Sequence, residues 1–233
     1  MSVTCQRLMA SKLINMGQTC VAPDFVLCHE SKIALFQKEC KKAIGRLYKH
    51  EVGGEGETVN EELGRIITKG HAQRLLDIIK EVEDTNPQQI VYGGSKGCNV
   101  NDKFISPTII CDPSMDSRLM KEELFGPILP IVSFKTKEEA ISLINGLKGI
   151  PLAIYVFTKS KHYYESIMKS CPAGSFTRND ALLQLVIKDF PFGGLGSSGI
   201  GTYTGKHSFD TFTHKLSSMY HPVHAMFEYG GLR

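Results

Sequence analysis

No stretch of this 233-residue sequence is apolar for long enough to cross a bilayer. The longest apolar runs, at 127–134 and 151–157, fall far short of the roughly 18–20 residues that a spanning helix needs. The first residues, Met1-Ser2-Val3-Thr4-Cys5-Gln6-Arg7, lack the charged region, apolar run and small-residue cleavage site of a secretory signal. Charge of one sign is also missing. Lys and Arg number 27 against 24 Asp and Glu, a formal balance of +3, and the basic residues are scattered rather than gathered into a stripe, which argues against a nucleic-acid binder. The seven cysteines include no C-x-x-C pair and no Cys/His grouping at zinc-binding intervals. Their odd number and irregular spacing speak against a disulfide framework and, with the rest, for a soluble cytoplasmic protein holding no metal.

With 42% hydrophobic and 22% charged residues, the composition is that of an ordinary globular chain. Apolar residues recur at helical spacing in three places. Behind Ser31, a candidate N-cap, come Ile33, Phe36, Cys40, Ile44 and Leu47. Leu75, Ile78, Ile79 and Val82 mark a helix over 71–84, and Ala140, Ile141 and Ile144 one over 137–145. Short runs rich in β-branched and aromatic residues at 25–28, 89–92, 104–111, 128–134 and 152–158 read as strands. Strands alternating with helices predict an α/β fold, a largely parallel sheet flanked by helices. Glycine and proline punctuate the connections, notably at Gly53-Gly54-Glu55-Gly56 and at 190–196, and residues 214–220 read as a strand followed by a tail. Cys28 in a strand-like run and Cys40 on an apolar helix face suit buried free thiols, which behave as small hydrophobes.

Cys20 is placed differently. It follows Gly17, which should end a preceding helix, and precedes Pro23, which bars a new one, so it sits on a tight connection. That placement suits a nucleophilic thiol that must meet a substrate while its own N–H stays free to stabilise an oxyanion. On the residues alone, the plainer reading of a structural cysteine in a polar turn stands beside it.

The run Gly17-Gln18-Thr19-Cys20-Val21-Ala22-Pro23-Asp24 resembles the active-site signature of aldehyde dehydrogenases, and its Ala-Pro-Asp ending is most similar to family 3. Three more segments resemble that family in order along the chain. They are Glu122-Glu123-Leu124-Phe125-Gly126-Pro127, Pro191-Phe192-Gly193-Gly194 continuing to Gly199, and the closing stretch from Tyr203 to His214. The resemblance implies an aldehyde dehydrogenase catalytic domain over residues 1–212, and over 213–233 a bridging strand for dimerisation with its tail. It implies oxidation of aldehydes to carboxylic acids with NAD or NADP through a thiohemiacetal and thioester on Cys20. A homodimer, or pairing with a full-length relative, follows from the bridging strand.

By position, Glu123 would hold the nicotinamide-ribose hydroxyls, Phe125 would pack against the nicotinamide ring, and Asn179 would lie near the substrate pocket. An acceptor-only carboxylate suits a vicinal diol. Without the resemblance, Glu122 and Glu123 read as a solvated acidic pair, and Glu122 keeps that reading. The segment around Asn179, Gly174-Ser175-Phe176-Thr177-Arg178, departs from the family's apolar pattern. The family's N-terminal Rossmann-like cofactor domain, its oxyanion-hole Asn and its general-base Glu lie upstream of the nucleophile and have no counterpart here. An inactive truncated fragment serving only as a dimerisation partner is therefore the alternative reading.

Two patterns invite misreading. Gly194-Leu195-Gly196-Ser197-Ser198-Gly199 fits the dinucleotide fingerprint by letter, yet no second strand with its acidic residue follows. His207, His214 and His221 are spaced by sevens across a segment whose pattern changes from helix-like to strand-like, which makes the spacing a coincidence.

Overall fold

The computed structural model describes residues 1–48 and 63–221. The Gly53-Gly54-Glu55-Gly56 punctuation lies outside the described residues. In chain order the helices are α1 (Ser2–Leu13), α2 (Ile33–Leu47), α3 (Lys69–Thr85), α4 (Arg118–Lys121), α5 (Lys137–Asn145), α6 (Lys161–Ser170) and α7 (Gly205–Thr211). The strands are β1 (Val26–His29), β2 (Ile90–Tyr92), β3 (Thr108–Cys111), β4 (Ile128–Phe134), β5 (Ala153–Val156) and β6 (Ser175–Arg178).

Four strands form one sheet in the order β1-β4-β3-β2, parallel throughout except that β2 runs against β3. Side chains alternate across it. Ile109, Cys111, Leu129 and Ile131 face the cluster built with α1 and α2, while Ile110 and Ile128 face the cluster built with α3. A parallel sheet covered on both faces needs strands that are apolar on both sides, and β3 is buried at every position. Complete burial of each of Leu75, Ile78 and Ile79 on α3 stabilises this packing by about 1.5–3 kcal/mol. β5 and β6 form a separate parallel pair packed against α6, where Val156, Ile167 and Cys171 are the buried members. The fold is thus α/β with a mostly parallel sheet flanked by helices.

Local chemistry moves several predicted boundaries. The helix expected behind Ser31 begins at Ile33, because residues Glu30–Lys32 form a 3-10 turn and the His29 ring accepts the Ser31 N–H. Ser31 is therefore not the N-cap. α3 starts two residues earlier than expected, where the Thr68 hydroxyl caps the His71 N–H at 3.2 Å. The strand expected over 104–111 is cut to its last four residues, since Pro107 offers no N–H for a ladder. Phe104 instead forms an isolated bridge with Asn99. Helix α5 and strand β4 run where the pattern puts them.

The strand expected at 214–220 is absent. Among the described residues, those at 214–220 pair with no neighbouring backbone, and Leu216, Met219 and Tyr220 are exposed. A strand is a ladder between two segments, and among the described residues no second segment lies beside this one.

Candidate active site

The signature segment takes its shape from three consecutive left-handed residues. α1 ends at Leu13 rather than at Gly17, and Asn15, Met16 and Gly17 follow with φ of 50°, 56° and 75°. For Asn15 and Met16, which carry side chains, this costs about 1 kcal/mol or more apiece unless their surroundings hold them. Two side chains do so. Asn15 Nδ2 donates to the Gln18 carbonyl at 3.0 Å, and Gln18 Nε2 donates back to the Asn15 carbonyl at 2.9 Å. Gln18 also ties the segment to its neighbour, donating to Arg65 O and accepting from Ile67 N–H.

Gly17 is there because nothing larger fits. A Cβ at that position would lie 2.3 Å from the Gly126 carbonyl oxygen, so the first two sequence motifs touch backbone to backbone. The chain then turns sharply, with Ala22 N–H donating to Thr19 O at 2.8 Å. Cys20 is the first central residue of that turn and is exposed. Among the described residues its N–H meets no acceptor. The other cysteines differ. Cys5, Cys28, Cys40, Cys111 and Cys171 are buried and Cys98 is half-buried, and burial pushes Cys28, Cys98 and Cys111 up to about 11.

Asp24 joins the turn to the Glu122–Pro127 loop, accepting the Leu124 N–H on its Oδ1 at 3.1 Å. Behind this contact lies Lys12, only 1% exposed on the last turn of α1. Burial pushes its ammonium down to about 8 against the attraction of Asp24 and Glu123. Burial likewise raises Asp24, opposed by Lys12, the Leu124 N–H and Arg74. Glu123 is raised by desolvation and by the Asp24 charge, with Arg74 and Lys12 opposing.

The same loop is fixed from the far side by Arg74, which donates to Leu124 O at 2.5 Å and to Glu122 at 3.3 Å. Glu122 also meets Arg118 at 2.7 Å. Its surface reading is accordingly refined, since it is a part-exposed anchor rather than a free solvated acid. Leu124 is buried, while Phe125 is left-handed at φ 50° and 42% exposed, so the loop sinks one side chain and presents the next ring outward.

Asn179 lies at the end of β6, left-handed at φ 62°, and is used structurally. Its side-chain oxygen accepts Thr158 N–H at 2.8 Å, its N–H donates to Val156 O, and its carbonyl accepts from Arg7 at 2.6 Å. The structure therefore brings the Cys20 turn and the Glu123–Phe125 loop together and puts Asn179 into a bracket linking β5, β6 and α1. Lys12 and Arg74 are not singled out by the sequence, and Gln18 appears there only as a member of the signature. Asp24 had a signal, as the last residue of the signature, but its partner is a hundred residues away.

The glycine segment forms a 3-10 turn at Gly196–Ser198 after a single bridge between Phe192 and Tyr203. The strand, turn and long helix that a phosphate cradle requires do not surround it. Close packing explains Gly193 and Gly194, where a Cβ would lie 2.2 Å from Gly201 O and 2.3 Å from Ser198 O, while Gly196 and Gly199 stand at positive φ. His207 lies on α7, and His214 and His221 on the irregular segment beyond.

Among known proteins, the dimeric NADP-preferring aldehyde dehydrogenase of Canis lupus familiaris is 36% identical over 223 residues, covering 96% of this chain and 46% of that protein. Aldehyde dehydrogenase family 3 member A2 of Mus musculus is 37% identical over 215 residues, covering 92% and 42% respectively. The substrate-bound state of Staphylococcus aureus AldH superposes with a TM-score of 0.82 at 33% identity, covering 96% of this chain and 47% of that one. The chain thus spans about half the length of these relatives. Because the aldehyde dehydrogenase family profile matches residues 1–217, a stretch that holds both the Cys20 turn and the loop docked on it, the chain belongs to the aldehyde dehydrogenase family.

Proposed function

We propose that this chain is the catalytic half of a family 3 aldehyde dehydrogenase that oxidises aldehydes to carboxylic acids with NAD or NADP, Cys20 being the nucleophile. The observation that carries this reading is the exposed thiol at the tip of a turn whose own N–H is unengaged, beside a loop that offers an exposed carboxylate and an exposed ring. The Cys20 thiolate adds to the aldehyde carbon, and the Cys20 N–H meets the oxyanion that forms. Loss of hydride from that thiohemiacetal leaves a thioester on sulfur, which water hydrolyses to the acid. NAD(P), when bound, supplies the hydride acceptor.

The residues of this chain fit part of that cofactor. Glu123 is an exposed acceptor for ribose hydroxyls and Phe125 a ring held outward by its left-handed backbone. The phosphate-binding elements and the general base for hydrolysis belong, by the family pattern, to sequence upstream of the nucleophile. Asn179, held between β5, β6 and α1, would border the substrate.

Pairing with a second copy or a full-length relative is supported by the apolar side chains exposed on the last described stretch, among them Phe209, Phe212, Leu216 and Met219. The reading is tested by iodoacetamide labelling of the full chain with and without a medium-chain aldehyde. We expect fast labelling at Cys20, protected by aldehyde and lost in Cys20→Ser. Labelling spread over other cysteines, with no aldehyde protection, would sink it. NADH formation beside the same variant then reports whether the chain turns over alone.

A further inference from the structure

We infer that Tyr155 is the positioning residue of the Cys20 turn and that Gln184 sets the direction of its hydroxyl. This rests on the reading of Cys20 as the nucleophile. Tyr155 on β5 and Thr177 on β6 are directly opposed partners in the parallel pair, so their side chains rise from one face. Tyr155 Oη lies 2.8 Å from the Val21 carbonyl oxygen, across 134 residues of sequence, in the turn that carries Cys20. Gln184, buried in the 3-10 turn Leu183–Leu185, places Nε2 2.8 Å from the same hydroxyl and Oε1 3.2 Å from Thr177 Oγ1.

The direction of this chain of hydrogen bonds is dictated from one end. A backbone carbonyl only accepts, so Tyr155 must donate to Val21. The phenol oxygen is then left to accept, so Gln184 must turn its amide nitrogen toward it, and its Oε1 must accept from Thr177. Each group is used in the one sense that leaves the next satisfied, and such a run holds its members more firmly than isolated pairs do. Burial raises the Tyr155 phenol, with Gln184 and the Leu182 N–H opposing and the nearby Cys20 charge adding a little. The hydroxyl therefore keeps its proton at neutral pH and remains a donor.

The Val21 carbonyl is the second half of the turn whose first half carries the Cys20 N–H. Holding that carbonyl from β5 fixes the plane of the turn, and with it the direction in which the N–H points at a developing oxyanion. Tyr155 has no proton to spare for the reaction, so its role is positional.

Aldehyde protection of Cys20 against iodoacetamide reads this directly, because thiohemiacetal formation needs the oxyanion contact and alkylation does not. In Tyr155→Phe, which keeps the ring, the aldehyde concentration for half-protection should rise about 10- to 100-fold, well beyond any change in alkylation without aldehyde. Gln184→Glu presents a carboxylate that takes the Tyr155 proton away from Val21, whereas Gln184→Met leaves that proton free to stay. Protection should accordingly be weaker in Gln184→Glu than in Gln184→Met. A purely structural role predicts the reverse or no order. Half-protection in Tyr155→Phe within twofold of the parent, with Cys20→Ser still abolishing labelling, would overturn the inference. Unchanged labelling in Cys20→Ser would instead overturn the reading on which it rests.

Discussion

The floor beneath the Cys20 turn and the stretch from Val186 to His221 follow opposite rules. The floor is locked. Gly17 against Gly126, Asp24 on Leu124, Gln18 on residues 65–67 and Arg74 on Leu124 leave no freedom to shift one element without another. The later stretch exposes Val186, Phe190, Ile200, Phe209 and Phe212, and is held by one bridge, backbone turns and hydroxyl contacts such as Ser198 to the Ile150 carbonyl. A reactive group benefits from the first kind of surroundings, since small displacements erode catalysis. A surface that waits for another surface benefits from the second.

The sharpest way to break the lock is Gly17→Val. The substitution forces a β-branched residue into a left-handed backbone and drives its Cβ into the Gly126 carbonyl. A loss of about 4 kcal/mol in urea denaturation is expected. A loss under 1 kcal/mol would mean that the two motifs are not in contact. Next comes a paired test of the two sheets. Ile131→Ala removes a side chain with no exposure from the four-stranded sheet and should cost about 3–4 kcal/mol, whereas Ile154→Ala, half-buried in the two-stranded pair, should cost about half as much. Equal costs would erase the distinction between the sheets.

The buried charge under the turn adds a pH test. Lys12 titrates near 8 in the fold against an ordinary value of 10.5, so the unfolded chain binds more protons between those values, and folding gains from Lys12 as pH rises through that window. The gain is present above 10.5, is lost as pH falls through 8, and amounts to at most about 3 kcal/mol. The thiols of Cys28, Cys98 and Cys111, pushed up to about 11 by burial, act in the opposite sense, so the informative quantity is the parent minus Lys12→Met. That difference should rise from pH 8 to 10.5. A flat difference would show that Lys12 reaches water.

What could be read from the sequence follows from what determines each feature. The helices over 33–47 and 69–85 and strand β4 announce themselves because their apolar period is the same thing as their burial. Cys20, Glu123 and Phe125 are proposed from contiguous motifs, and the structure brings those motifs together. Lys12, Arg74, Tyr155 and Gln184 were not found, because each acts through a partner on another element and looks locally like an ordinary helix, strand or turn residue. Asn179 is singled out by its pattern, and what the pattern does not reveal is that its side-chain oxygen accepts the Thr158 N–H. The segment 214–220 has the composition of a strand, but a strand also needs a neighbour, and the described residues give it none.

The smallest expected effect on stability is the most telling for the open side of the molecule. Phe212 is 91% exposed just beyond α7, so in the single chain its ring stabilises almost nothing. Phe212→Ser should change the unfolding free energy by no more than about 0.5 kcal/mol. If the stretch pairs with another surface, the same change removes an aromatic anchor and should weaken self-association by about tenfold in sedimentation equilibrium. A stability loss of several kcal/mol would place Phe212 in the core of the single chain and remove the contrast with the Cys20 floor. Unchanged association with unchanged stability would confine the pairing surface to other residues of the stretch, with Leu216 and Met219 the next to replace.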